Sequence, residues 1–73
     1  MIIEKQLYSL GYIKDIITHG DIQNYRHQNF AQRPYYVSWE NDALVVRGDE
    51  KLGIFSFKNI KEFTLWHNSY NVQ

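Results

Sequence analysis

The 73-residue sequence contains no cysteine, one proline and four glycines, and its eight basic residues are matched by eight acidic ones. Without cysteine the chain can form neither a disulfide nor a thiolate metal site, so a hydrophobic core has to stabilise the fold. The balanced charge lacks the basic excess that is typical of nucleic-acid-binding domains. No apolar run approaches the roughly 20 residues of a membrane span, which argues against a membrane protein and for a cytoplasmic one.

Alternating apolar residues in the second half of the chain predict an antiparallel meander of three or four strands over residues 34–68. The predicted strands cover residues 35–40, 43–47, 52–57 and 62–67. Asn41 and Asp42 separate the first two strands and suit a two-residue turn with positive φ angles. This turn places Trp39 opposite Leu44 and Val37 opposite Val46. The next reversal is expected to bring Phe55 opposite Leu44.

The first half of the chain has a different pattern, because five apolar residues recur at three- and four-residue spacing: Ile3, Leu7, Leu10, Ile13 and Ile17. This is the period of one helical face, and it predicts a helix over residues 2–18 with Gly20 as its C-cap and His19 beside the helix dipole. Gly11 disfavours the helix interior, so a kink, or a split into a strand pair, is the competing interpretation. Asp21 is predicted to cap a short second helix that ends near Asn29.

These elements together predict the α+β class, with one domain spanning residues 1–73. Residues 1–33 are expected to be mainly helix and loop, and residues 34–68 to form the meander. The N-terminal helix would pack on one face of the three- to four-stranded sheet, which is feasible at this size without disulfides.

The pleat of the predicted strands places large apolar residues on both sides of the sheet. The first face is the expected core: Tyr35, Val37, Trp39, Leu44, Val46, Phe55, Phe57, Phe63 and Leu65. On the second face Tyr36, Val45, Ile54 and Trp66 stand among hydroxyl side chains, where a solvated face would carry charges. Lone exposed apolar residues are ordinary in proteins, which is one explanation of this face. The other is a protein interface, used either for a homodimer or for docking another protein.

A polar segment between the two halves is a second candidate for recognition. It combines rings with guanidinium groups, a mixture that protein interfaces favour: Tyr25, Arg26, Phe30, Arg33 and Tyr35. The competing interpretation is a solvated connector whose rings fold back onto the core.

Single-stranded nucleic acid is the alternative partner, because aromatic residues make up 16% of the chain and can stack bases. The candidate platform consists of Tyr36, Trp66, Arg47, Lys58 and Lys61. Acidic residues share the same strands and loops, and the basic excess is missing, so this alternative is not favoured.

No catalytic, metal or cofactor motif is present in the sequence. The spacing of His19, His27 and His67 matches no metal-ligand pattern, and the serines lack the glycine elbow of a nucleophile. We therefore expect a non-enzymatic protein with no cofactor and no metal.

The segment from Leu44 to Ile60 resembles the hairpin-then-turn arrangement of many small Sm-like, PH-like and SH3-like sheets. The short, cysteine-free and aromatic-rich chain also resembles accessory proteins encoded by bacteriophages and other mobile elements, which often act by binding a larger host protein. This resemblance implies a regulator or inhibitor that works through protein binding, and the apolar second face adds self-association as a homodimer.

Overall fold

The computed structural model describes residues 2–18 and 20–70, which form two helices and five strands. In chain order the elements are α1 (Ile2–Ser9), β1 (Tyr12–Lys14), β2 (Asn24–His27), β3 (Tyr36–Glu40), β4 (Ala43–Arg47), β5 (Ile54–Phe57) and α2 (Ile60–Ser69). The strands form one antiparallel sheet in the order β1-β2-β3-β4-β5. The α+β class is confirmed, with more strands than predicted and a helix at each end.

The hairpin of β3 and β4 agrees with the prediction in its turn and in its register. Asn41 and Asp42 have φ angles of 52° and 59°, as a two-residue hairpin turn requires. Trp39 pairs with Leu44. The same register places Val37 opposite Val46.

The register of the next hairpin differs from the prediction by two residues. Leu44 pairs with Phe57, and Phe55 pairs with Val46 instead. The connection between β4 and β5 spans residues 48–53, whereas the prediction gave residues 48–51. Within it, Gly48 donates its backbone N–H to the carbonyl of Gly53 (2.9 Å). A shift of two residues preserves the pleat, so both phenylalanines still point to the predicted face.

The predicted helix over residues 2–18 is wrong beyond Ser9. The expected split at Gly11 is confirmed, but it joins a helix to a strand, so the competing strand pair is wrong. Gly11 has a φ of +96°, and a Cβ atom there would lie 2.6 Å from Nε2 of His27. Only glycine fits this turn, which reverses the chain from α1 into β1. Gly20 (φ +64°) lies in a turn and caps no helix, and His19 lies outside the described residues.

The short helix predicted over residues 21–29 is also wrong, because this segment contains β2. Its residues alternate between the two faces of the sheet, and Tyr25 is buried opposite Val37. Pairing with β1 and β3 on both sides outweighs the weak local helix signal of a polar segment.

The last predicted strand is a helix, α2. Asn59 caps it by accepting a hydrogen bond from the backbone N–H of Glu62 (2.9 Å), as in a capping box. Phe63 and His67 are buried on one helical face. Leu65, expected in the core, is 64% exposed on α2 instead.

Both helices contribute to the core on one face of the sheet. The fully or nearly fully buried apolar residues come from α1, from the first four strands, from the segment before β3 and from α2: Leu7, Tyr12, Tyr25, Tyr35, Val37, Leu44, Val46 and Phe63. Neither described helix has the length and apolar character needed to cross a membrane.

Candidate functional site: the open face of the sheet

The face of the sheet opposite the core carries side chains from every strand, and we call it the open face. Its main row crosses the sheet at Arg26, Tyr36, Arg47 and Ile54, which are successive pairing partners. A parallel row contains Asn24, Ser38, Val45 and Ser56. The apolar residues of α1 and α2 that pack on the sheet all join the core on the other side. Neither helix therefore covers the open face.

Large apolar groups on the open face remain accessible to solvent. Ile54 is 70% exposed and Tyr36 is 37% exposed. Val45, in the parallel row, is half-buried. The ring of Phe30, from the segment between β2 and β3, lies 5.2 Å from the ring of Tyr36. These side chains form one strip with the arginines of the row, in which Phe30 and Tyr36 lie on one side of Arg47 and Ile54 lies on the other.

An ion pair forms the polar part of the open face. Arg47 donates to both carboxylate oxygens of Glu40, at 2.7 and 2.9 Å, and to the hydroxyl of Ser38 at 3.0 Å. Ser38 is fully buried beneath this pair and donates to Glu40 at 2.5 Å. The hydrogen bonds that Arg47 donates to the Glu40 carboxylate raise the pKa of Arg47 above its ordinary value. The bidentate pair fixes both side chains and balances the positive charge of Arg47.

The structure brings together three of the four residues predicted from the sequence for the interface. Tyr36, Val45 and Ile54 lie on the open face, as their pleat predicted. Trp66 does not, because it belongs to α2, where its ring lies 4.9 Å from Tyr35 and packs in the core. Helical geometry, which the strand prediction missed, turns Trp66 toward the core.

The predicted recognition segment is divided between the two sides of the sheet. Arg26 and Phe30 belong to the open face. Tyr25 is buried on the core side, where its hydroxyl donates to Glu4 at 2.6 Å. Arg33 and Tyr35 take part in a hydrogen-bond network on the core side, where the Tyr35 ring is fully buried and Arg33 is half-buried.

That buried network contains four side chains and was not found by sequence reasoning. Arg33 can only donate, and its Nη1 reaches the hydroxyl of Tyr35 (3.0 Å) and Nδ1 of His67 (3.2 Å). Because Nδ1 of His67 accepts, it carries no proton, and the Tyr12 hydroxyl donates to it at 2.8 Å. Tyr12 in turn accepts from Tyr35 at 2.5 Å. The donor-only guanidinium thus sets the direction of every hydrogen bond in a closed ring.

Burial keeps the ring neutral apart from its guanidinium. Desolvation lowers the pKa of His67 to about 4, and the positive charge of Arg33 adds to this effect. Desolvation also raises the pKa of Tyr12 far above its usual range. At neutral pH the imidazole is an acceptor and the phenol is a donor, which is the arrangement that the geometry requires.

A second histidine adjoins the ring and is also held neutral. Nδ1 of His27 accepts from the backbone N–H of Asn29 (3.0 Å), so Nε2 carries the proton and donates to the carbonyl of Leu10 (3.1 Å). The His27 and His67 rings lie 5.8 Å apart. Desolvation lowers the pKa of His27 below its ordinary value.

A histidine beside two tyrosines and an arginine is a chemically capable set, but three of its four members are buried. Tyr12 and Tyr35 are fully buried, and His67 is only 7% exposed. The two described cavities have volumes of about 400 and 260 Å³, and none of these three residues lines either one. Within residues 2–18 and 20–70, no group of three or more histidine and carboxylate side chains is placed to hold a metal. The ring is therefore suited to joining α2 to the sheet.

The predicted base-stacking platform is not brought together by the structure. Trp66 lies in the core, and Arg47 is paired with Glu40. Lys61 belongs to α2, whose apolar residues pack on the core side of the sheet. Of the aromatic candidates for this platform, only Tyr36 lies on the open face.

The chain was compared with protein-family models, with curated proteins and with solved structures, and none of the three comparisons finds a match.

Proposed function

We propose that this chain is a non-enzymatic protein-interaction module, and that its open face docks a different protein. The observation that carries the proposal is the strip on the open face, in which Tyr36 and Ile54 are exposed and Phe30 is half-buried against Tyr36. Two arginines lie in the same strip, and neither helix covers it. Exposed apolar groups gathered on one surface and accompanied by Tyr and Arg are typical of protein interfaces. The role of regulator or inhibitor, suggested by the chain's character, belongs to this proposal.

The charges of the main row favour a different protein over a second copy. In a two-fold dimer whose axis runs across the strands, along this row, each arginine faces its own copy. When the axis runs along the strands through Tyr36, Arg26 faces Arg47. The charge of Arg47 is balanced by Glu40. The guanidinium of Arg26 forms no hydrogen bond or ion pair with another side chain among the residues that the structure describes. The partner that fits carries a carboxylate opposite Arg26 and an apolar side chain opposite Tyr36 and Ile54.

Two aspartate substitutions of matched chemistry test this proposal. Ile54→Asp places a charge in the strip, whereas Leu65→Asp makes the same change on α2 at a position of similar exposure, 70% against 64%. Each variant is immobilised and used to capture proteins from an extract of the source cells, and the captured proteins are quantified by mass spectrometry. A protein that the original chain captures should be recovered at least tenfold less by Ile54→Asp and equally by Leu65→Asp.

Equal capture by Ile54→Asp and the original chain would contradict the proposal, provided that circular dichroism shows both variants folded. Binding of labelled single-stranded DNA or RNA that weakens steeply with added salt would support the nucleic-acid alternative instead.

A further inference from the structure

The connection between β1 and β2 presents two highly exposed aliphatic side chains. Ile16 is 95% exposed, and its neighbour Ile17 is 68% exposed. The base of this loop is fixed: Asp15 accepts from the backbone N–H of Ile17 (3.3 Å), and the Gln23 amide donates to the Asp15 carbonyl (2.8 Å). Two isoleucines held outward on a tethered loop form an apolar projection.

An apolar groove of about 400 Å³ lies elsewhere on the surface, between the C-terminal half of α1 and the N-terminal half of α2. Leu10, Ile60 and Leu65 supply its apolar lining, and Lys61 stands among them. Gln6 also lines it, and the Oε1 atom of Gln6 is buried with no hydrogen-bond donor among the described residues. Such an acceptor is usually satisfied by a ligand, a partner or water.

We infer that this groove binds the Ile16–Ile17 loop of a second copy of the chain. The apolar projection matches the apolar lining of the groove. The charges also match, because the segment 15–23 contains Asp15 and Asp21 and no lysine or arginine, whereas the groove contains Lys61. This inference does not depend on the open face or on the function proposed for it.

The loop does not fill the groove of its own chain, because Ile16 and Ile17 are 95% and 68% exposed and neither lines the groove. The contact joins two different surfaces, loop on groove. Two copies can make it reciprocally in a closed two-fold dimer, and more copies can make it one way in rings or open chains.

Sedimentation velocity over a wide concentration range, with three variants, tests this inference. The original chain should show a mass that rises with concentration above that of the monomer. Replacing both isoleucines with serine removes the apolar side chains of the loop. Leu65→Asp places a carboxylate in the groove, where it would repel the acidic loop. Each change should raise the dissociation constant at least tenfold. Ile54→Asp, on the open face, should leave it unchanged.

A mixture of the loop variant and the Leu65→Asp variant gives the sharpest result. Each variant retains one intact half of the contact, so the mixture should form a complex of two chains and nothing larger. A monomer at all concentrations, or association that both variants leave unchanged, would overturn the inference. So would a mixture that stays monomeric. Loss of association only in Ile54→Asp would assign self-association to the open face instead.

Discussion

The hydroxyl oxygens of Tyr12 and Tyr35 lie 2.5 Å apart in the core, although 23 residues separate them in the chain. The Tyr12 hydroxyl donates a hydrogen bond to His67 of α2, and the Tyr35 hydroxyl accepts one from Arg33. This contact therefore connects the first strand, the segment before β3 and the last helix. The open face is the other side of the same sheet, so the hydrogen-bonded ring stabilises the strands that carry the proposed interface.

Replacing Tyr12 with phenylalanine should lower the free energy of unfolding by about 1–3 kcal/mol. The change removes the donor to His67 and the acceptor for Tyr35, which leaves two buried polar groups without their partner. Urea denaturation followed by circular dichroism measures the loss. Tyr8→Phe, at an exposed tyrosine, is the matched control and should change stability by less than about 0.5 kcal/mol.

Acid should weaken the fold through His67, because its pKa is lower in the folded state than the ordinary value of 6.5. An imidazole of this kind binds protons more readily when the chain is unfolded, so protonation favours unfolding. The stability due to His67 is complete above about pH 6.5, falls as the pH drops towards 4, and stops falling below that. The total loss is at most about 3 kcal/mol.

The control for this pH dependence is His67→Asn, which keeps an acceptor near the position of Nδ1 and cannot be protonated in this range. Urea denaturation between pH 7 and 4 should show a shallower slope for this variant than for the original chain. Identical slopes would mean that His67 is not held neutral by the fold.

Gly11→Ala should destabilise the fold by about 2–3 kcal/mol, because it combines an unfavourable φ of +96° with a Cβ contact of 2.6 Å to His27. Gly20→Ala is the comparison, since Gly20 also has a positive φ but has no atom within 4 Å of the added Cβ. It should cost only about 1 kcal/mol. Equal thermal stability of the two variants would show that the close approach of His27 costs nothing.

Arg47→Lys should lower stability by about 1 kcal/mol, because an ammonium group cannot reproduce the bidentate contact with Glu40. A double-mutant cycle with Glu40→Gln measures the coupling between the two side chains by urea denaturation. If the effects of the two substitutions on the free energy of unfolding were additive, the contact between Arg47 and Glu40 would contribute nothing to stability.

The hairpin of β3 and β4 could be predicted from the sequence because its information is local. Asn41 and Asp42 tolerate the positive φ angles of the turn, and the alternation on both sides fixes which residues face the core. This is why Tyr36 and Val45 were placed correctly on the open face. The prediction succeeded where the turn and the pleat alone determine the position of a side chain.

The helix α2 was missed although its signals are present. Asn59 and Glu62 have capping-box spacing, and Phe63, Trp66 and His67 follow helical spacing. The alternation of Phe63 with Leu65 fits a strand equally well over so short a stretch. Choosing the strand moved Trp66 to the wrong side of the sheet.

The N-terminal segment and the buried ring could not be predicted from local patterns. The turn at Gly11 forms because β1 pairs with β2, and Ile13 and Ile17 fit a helical period even though neither is helical. In the ring, Tyr12 and His67 are 55 residues apart. Only the assembled sheet brings these two side chains together.

Photo-crosslinking tests the central claim, that the open face binds a different protein, most directly. A photoreactive phenylalanine analogue is placed at Ile54 in one variant and at Leu65 in another, and both variants are irradiated in the source cells. We predict that Ile54 gives an adduct with a different protein and that Leu65 does not give this adduct. An adduct with that protein only from Leu65, or adducts from Ile54 only with a second copy of the chain, would contradict the claim.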